Sequence, residues 1–133
     1  FRQTHFNPID PVRKRTEAEI EDGNESFTAL KGAAQVLPEM ADLSDDQNQN
    51  IRELVDQLAS KGYRTLAVGK KTGDAPLALI GLIPLYDPPR TDSGQMIADM
   101  RNYGVRGKMV TGDHIAIARE IGRLVGLEGE TIS

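Results

Sequence analysis

The stretch MVTGDHIAIAREIGRLVGL, residues 109–127, decides how this chain is read. Two apolar residues, Met109 and Val110, stop at Thr111-Gly112-Asp113, and an amphipathic helix pattern starts at His114. A strand running straight into a helix is the unit of an open parallel sheet. In such sheets ligands gather beyond the carboxyl ends of the strands, and the exposed N–H groups of a helix start favour an anion. A threonine supplies a hydroxyl, a glycine lets backbone approach closely, and an aspartate can hold a metal or a water. The same residues also make an ordinary turn, with Thr111 or Asp113 as the helix N-cap. Spacing alone leaves both readings open.

Working outward, the pattern predicts a helix over 93–103 with the stripe Met96, Ile97 and Met100, a strand over 106–110 and a helix over 114–125. One strand cannot satisfy its own backbone groups. Residues 85–133 therefore read as part of a domain whose other strands lie outside the chain. Upstream stands YDPPRTDSG, residues 86–94. Paired prolines fit neither a sheet interior nor a helix interior, so this is a stiff elbow, and a boundary there separates 1–84 from 85–133.

Before the elbow the signals are mostly hairpins. Residues 1–11 hold two prolines and read as extended or turning chain. Strand-like alternation over 15–21, the turn Asp22-Gly23-Asn24 and a returning strand over 26–32 read as one hairpin. A short helical turn follows. A helix over 46–61 has Ile51, Leu54, Val55 and Leu58 on one stripe, Gly62 as its terminating glycine, and the polar LSDDQNQ before it as cap. YRTLAVG and PLALIGLIPL, joined by KKTGD, read as a second hairpin.

Composition narrows the function. The chain has 133 residues, 38% hydrophobic and 27% charged, with net charge −4. That is enough for a folded core and lacks the basic stripe of a nucleic-acid binder. Arg13-Lys14-Arg15 is a short basic cluster followed by acids, as on a solvated strand end. There is no cysteine and only two histidines, which excludes disulfides, thiol catalysis and cysteine-rich zinc sites. No apolar run reaches the roughly 18–20 residues of a membrane span, and no secretory leader is visible. A first residue other than methionine suggests a piece of a longer protein.

Several other residues are candidates for chemistry. Lys31 and Gly32 sit at a strand end, where a lysine can meet phosphate as a point charge or simply be a surface residue. Arg64 has the fork that suits a phosphate, and could equally be an exposed arginine. Phe1 and Phe6 sit in a proline-bearing loop, and either could stack on a base or pack in the core. Asp87 and Arg90 could pair with each other, as a hinge lock, or with a ligand.

In order along the chain, FNPIDPVRKRTEA, LKGAAQVL, KGYRTLAVG, GLIPLYDPPRTDS and KMVTGDHIAIAREIGRLVGL resemble the cytoplasmic catalytic region of P-type ATPases, closest to the plasma-membrane proton-pump branch. The resemblance covers nearly the whole chain. It implies an α/β architecture: an α+β nucleotide-binding domain with antiparallel hairpins, of which 1–84 would be the C-terminal part. Part of a Rossmann-like phosphorylation domain of the haloacid dehalogenase type would follow, with 85–133 as the start of its returning portion. In the family the first domain is inserted into the second, which accounts for the lone strand.

Residue by residue, Phe6 matches the aromatic that stacks on adenine. Lys31 and Gly32 match the KGA motif of the nucleotide pocket, and Arg64 the arginine that reaches the phosphates. Asp87, Pro88, Pro89 and Arg90 match the interdomain hinge. Thr111, Gly112 and Asp113 match the TGD loop beside the γ-phosphate and Mg²⁺. Ala34 stands where proline is common in that motif. The family's phosphorylated aspartate with its DKTGT motif, and the later GDGxNDxP motif that completes the magnesium site, are not in this sequence.

The resemblance thus implies ATP and Mg²⁺ as ligands and the remainder of a cation pump as partner: missing phosphorylation-domain strands, an actuator domain and transmembrane helices. Within this chain it implies no catalytic aspartate, no complete metal site, and no turnover in isolation. The segment would lie on the cytoplasmic side of a membrane. Two rivals make different demands. A soluble phosphatase of the haloacid dehalogenase type needs a DxD-type strand end, which is not found. A non-catalytic α/β module predicts indifference to changes at Lys31 and Arg64.

Overall fold

Strand pairing organises the chain from Arg2 to Tyr86. β1 (Arg2–Asn7), β2 (Arg15–Asp22), β3 (Glu25–Ala33), β4 (Tyr63–Lys71) and β5 (Ala78–Tyr86) form a single five-stranded sheet in sequence order. The computed structural model describes residues 1–127 and 129, so the last positions of the expected 85–133 domain lie outside the described residues. β1 with β2, β2 with β3 and β3 with β4 are antiparallel. With its helices, this makes the chain a mixed α/β protein. Residues 2–7, expected only as extended or turning chain, are a full edge strand whose register shifts between Gln3 and His5.

Contacts divide the chain into two compact units. One holds Phe1–Val55 and Thr65–Pro84; the other holds Asp56–Arg64 and the chain from Leu85 on. In the first unit, alternation along β3 puts Leu30 and Gly32 on the same side as Ala67 of β4. The short helix α1 (Leu37–Met40), entered through Pro38, lays Leu37 against them. Leu30, Leu37, Ala67 and Leu77 are the buried cluster, with Val36, Ala41, Leu79 and Leu82 packed around it. Gly32 is glycine because nothing larger fits. A Cβ there would stand 2.7 Å from Arg15 Cβ, 2.7 Å from Leu37 Cδ1 and 2.8 Å from the Lys14 carbonyl oxygen.

Thr65 is 9% exposed and its Oγ1 has no hydrogen-bond partner. A buried hydroxyl without a partner forfeits its hydration. Thr65→Val keeps the branched shape a strand favours and is expected to stabilise the chain by about 1 kcal/mol. The measurement is urea unfolding: the midpoint should rise at unchanged slope, and a lower midpoint would refute it.

Helix α2 (Asp45–Ala59) opens with a capping box. The Ser44 hydroxyl accepts from Gln47 N–H at 3.2 Å, and Gln47 Oε1 accepts from Ser44 N–H at 2.9 Å. Asp45 and Asp46 in the first turn complement the helix dipole. The helix ends before Gly62, whose φ of 82° lies in the left-handed region that side chains resist. The buried stripe is rotated from the expected one. Val55 and Ala59 are buried, Ile51 and Leu58 half-buried, and Leu54 is exposed. A helix turns 100° per residue, which puts Ala59 on the side of Val55 and swings Leu54 away.

In the second unit, α3 (Ser93–Asn102) and α4 (Ile115–Leu124) match the expected helices. α4 buries Ile117, Ala118 and Gly122. α3 buries none of its residues, and Met96 and Met100 of its stripe are exposed. The strand expected over 106–110 is not formed. These residues join no ladder, because a strand exists only through a paired neighbour, and none is present among the described residues. The segment instead passes beside the helices. Gly107 lies near Leu127 and Ile97, and the Met109 methyl lies near Gly122.

Candidate functional site

Register decides what the sheet presents. Residues directly opposite in an antiparallel ladder share a face. Phe6 stands opposite Ala18, Ala18 opposite Ala29, and Ala29 opposite Lys70. One two-residue step along, Thr16, Lys31 and Val68 form the next row of that face. Two strand spacings and one such step put the Phe6 and Lys31 Cα atoms on the order of 12 Å apart. Phe6 and Lys31 are exposed, while Ala18 and Ala29 between them are half-buried and small. Gly32, the next residue along β3, falls on the opposite, core face. Lys70 stands with its Nζ 4.4 Å above the Phe27 ring.

The loop after β1 is held by Asp10. Its carboxylate accepts from the backbone N–H of Val12 at 2.7 Å and of Arg13 at 2.9 Å. Those N–H groups, that of Arg13 foremost, hold the Asp10 pKa below its ordinary value.

A second cluster lies within the second unit. Arg64, at the start of β4, reaches Asp113 across 49 positions of sequence. Its Nη2 stands 2.7 Å from Oδ1 and 2.9 Å from Oδ2. The Thr111 hydroxyl donates to Asp113 Oδ2 at 3.1 Å and accepts from Asp113 N–H at 3.1 Å. Neither Thr111 nor Asp113 caps α4. His114 does, its Nδ1 accepting from Ala116 N–H at 3.4 Å. This corrects the expected cap: the helix starts one residue later, and the threonine hydroxyl is spent inside the loop. Gly112 is exposed, with nothing near its Cα side that a Cβ would meet.

In the elbow, Arg90 does not pair with Asp87. Its Nε and Nη2 go to Asp92, at 3.2 and 2.9 Å, because two intervening prolines hold Asp87 back while Asp92 follows at the start of α3. Pro88 and Pro89 precede α3 without joining strand or helix. Tyr86, just before, rests its ring 5.1 Å from that of Tyr63.

Magnesium finds few ligands here. Among the described residues no group of three or more His, Cys, Asp or Glu side chains could hold a metal, and the one carboxylate of the 111–113 loop is engaged by Arg64. The described residues do not by themselves make a magnesium site. A cation near Asp113 would take its other ligands from phosphate, water or residues outside this chain.

No protein-family model matches the chain. Individual proteins do. A Methanocaldococcus jannaschii protein assigned as a cation-transporting ATPase is 45% identical over 134 residues, covering 100% of this chain and 16% of that protein. A Leishmania donovani protein assigned as proton ATPase 1A is 37% identical over 130 residues, 96% of this chain and 13% of its own length. Plasma membrane ATPase 2 of Saccharomyces cerevisiae is 37% identical over 132 residues, 96% of this chain and 14% of its own length. The chain belongs to the P-type cation-transporting ATPase family. It spans only 13–16% of the length of these P-type relatives. No helix among the described residues is long and apolar enough to cross a membrane. For a P-type segment, residue-by-residue reading named Arg64 and Asp113 separately and missed that they pair. It also did not place Lys70 opposite Ala29, because neither hairpin by itself says that β3 pairs with β4.

Proposed function

We propose that this chain is a nucleotide-handling part of an ATP-driven cation pump. Residues 1–84 are the C-terminal part of the nucleotide-binding domain and 85–133 the start of the returning phosphorylation domain, with Asp87, Pro88, Pro89 and Arg90 as hinge. Phe6 stacks on the adenine, and Lys31 meets the nucleotide from the same sheet face, Ala18 and Ala29 leaving room for a flat ring. Arg64 takes phosphate oxygens electrostatically, and Thr111 and Gly112 border the phosphate chain. The aspartate that accepts the γ-phosphoryl group, and the rest of the Mg²⁺ site, belong to parts of the pump outside this chain. Its other partners are the actuator domain and membrane helices, and the segment lies on the cytoplasmic side. The Leishmania donovani relative assigned as a proton ATPase favours the proton as the cation.

The observation that supports this reading best is the shared face of Phe6 and Lys31, two motifs that the sequence separates and the β1–β2–β3 register reunites. ATP titrated into the chain is expected to bind weakly, followed by chemical-shift mapping or calorimetry. Lys31→Ala should weaken it about fivefold, the size of one exposed charge contact of about 1 kcal/mol. No response at millimolar ATP, or equal binding by the variant, would overturn the assignment of this face.

A further inference from the structure

We propose that Asp113 is the positioning residue for Arg64. Oriented by the Thr111 hydroxyl, its carboxylate holds one edge of the guanidinium so that the other edge is presented to an incoming phosphate. The use of phosphate rests on the reading above; the relay itself does not.

The geometry has three parts. Both contacts to the carboxylate run through a single nitrogen, Nη2. The one hydrogen bond, Nη2 to Oδ2, uses one of the two Nη2 hydrogens, so the second Nη2 N–H is left to form an edge with its neighbouring nitrogen, and the Arg64 side chain is 59% exposed. The carboxylate in turn is not free to rotate, because Thr111 donates to Oδ2 while accepting from Asp113 N–H. Threonine orients aspartate, and aspartate orients arginine.

The chemistry follows from the fork of an arginine. A guanidinium has five N–H donors in one plane, and a phosphate binds best to two parallel N–H groups on one edge. A long side chain at a strand start loses rotamer entropy when it commits to a ligand. Anchoring one edge beforehand removes part of that cost. A carboxylate that merely neutralised Arg64 would do the opposite and compete with phosphate for it. The one-nitrogen contact favours anchoring over competition, since a competing carboxylate would take the two-nitrogen edge itself.

Two readouts on the whole 133-residue chain test this. The first is the rotation rate about the Arg64 Cζ–Nη2 bond from guanidinium ¹⁵N spectra, without ligand. It is expected to rise severalfold in both Thr111→Val and Asp113→Asn. An unchanged rate in either variant removes that link and overturns the relay. The second uses inorganic pyrophosphate as probe in a cycle of Asp113→Asn with Arg64→Lys. Removing a negative charge near an anion strengthens binding whether or not Arg64 is present, so that effect cancels in the cycle. What remains should be a loss of about two- to fivefold that appears only when Arg64 is present, the fold-change of an exposed ion pair. Zero coupling, or a gain confined to the Arg64 background, identifies a competitor rather than an anchor and overturns the proposal. If the wild-type chain does not bind pyrophosphate, the phosphate reading fails, and the rotation rates still decide the relay.

Discussion

Gly32→Val is expected to destabilise the chain by about 3 kcal/mol, the upper end of what overpacking a well-filled site costs. The first methyl carbon has nowhere to go. It would lie within 2.8 Å of three atoms on three different residues, and one of them is the Lys14 carbonyl oxygen. A side chain could rotate away, but the backbone at Lys14 is fixed twice. Its N–H donates to the Asp10 carbonyl, and its own carbonyl accepts from Ala33 N–H at 3.1 Å. Lys14 also sits at φ 53°, a strained value for a residue with a side chain, so the turn has little slack. The relief must come from β3 moving off its register, which carries Lys31 with it. Urea unfolding should therefore show the loss, and ATP binding should disappear even where the variant remains folded. A midpoint equal to that of the parent would show that the close approach around Gly32 is absent in solution.

Leu37→Ala is expected to cost a similar amount, about 3 kcal/mol, by the opposite mechanism. Leu37 is fully buried in the cluster with Leu30, Ala67 and Leu77. Truncation removes three buried carbons and leaves a cavity that a two-sided, sheet-backed site fills poorly. Marginal stability makes such a loss a large fraction of the whole. The two positions touch, since the missing Gly32 Cβ would meet Leu37 Cδ1. Combining Gly32→Ala with Leu37→Ala should consequently cost less than the two single losses added, because the new methyl enters part of the vacated space. Strict additivity in thermal or urea unfolding would show that the two do not share a packing site, and a Leu37→Ala loss below 1 kcal/mol would show that Leu37 is not buried as described.

Local patterns were enough for the hairpins, for α2 with its polar capping stretch and its stop at Gly62, and for α3 and α4, because turn residues, caps and helical stripes act between neighbours in sequence. They failed where the outcome depends on something distant. Met109 and Val110 have the composition of a strand, yet residues 106–110 pair with nothing among the described residues, and propensity cannot create a ladder. Leu54 is as apolar as Val55, and only the surface that α2 meets decides that Ala59 takes its place in the stripe. Arg90 has an acid on either side in sequence, Asp87 and Asp92, and only the fold shows that it pairs with Asp92.

The order of motifs along the chain was by itself sufficient to place it among the P-type cation-transporting ATPases, since each motif is short but their succession is specific. The amino-acid pattern also settled that a hairpin, a helix and a second hairpin come before the last two helices. What only the folded chain decided is which of the named side chains meet. Register across three strands put Phe6 and Lys31 on one face and turned Gly32 into the core. A contact over 49 positions joined Arg64 to Asp113. The reason is physical: propensities and turns are local free energies, whereas a face or an ion pair between distant residues exists only once long loops have closed and their entropy has been offset by packing.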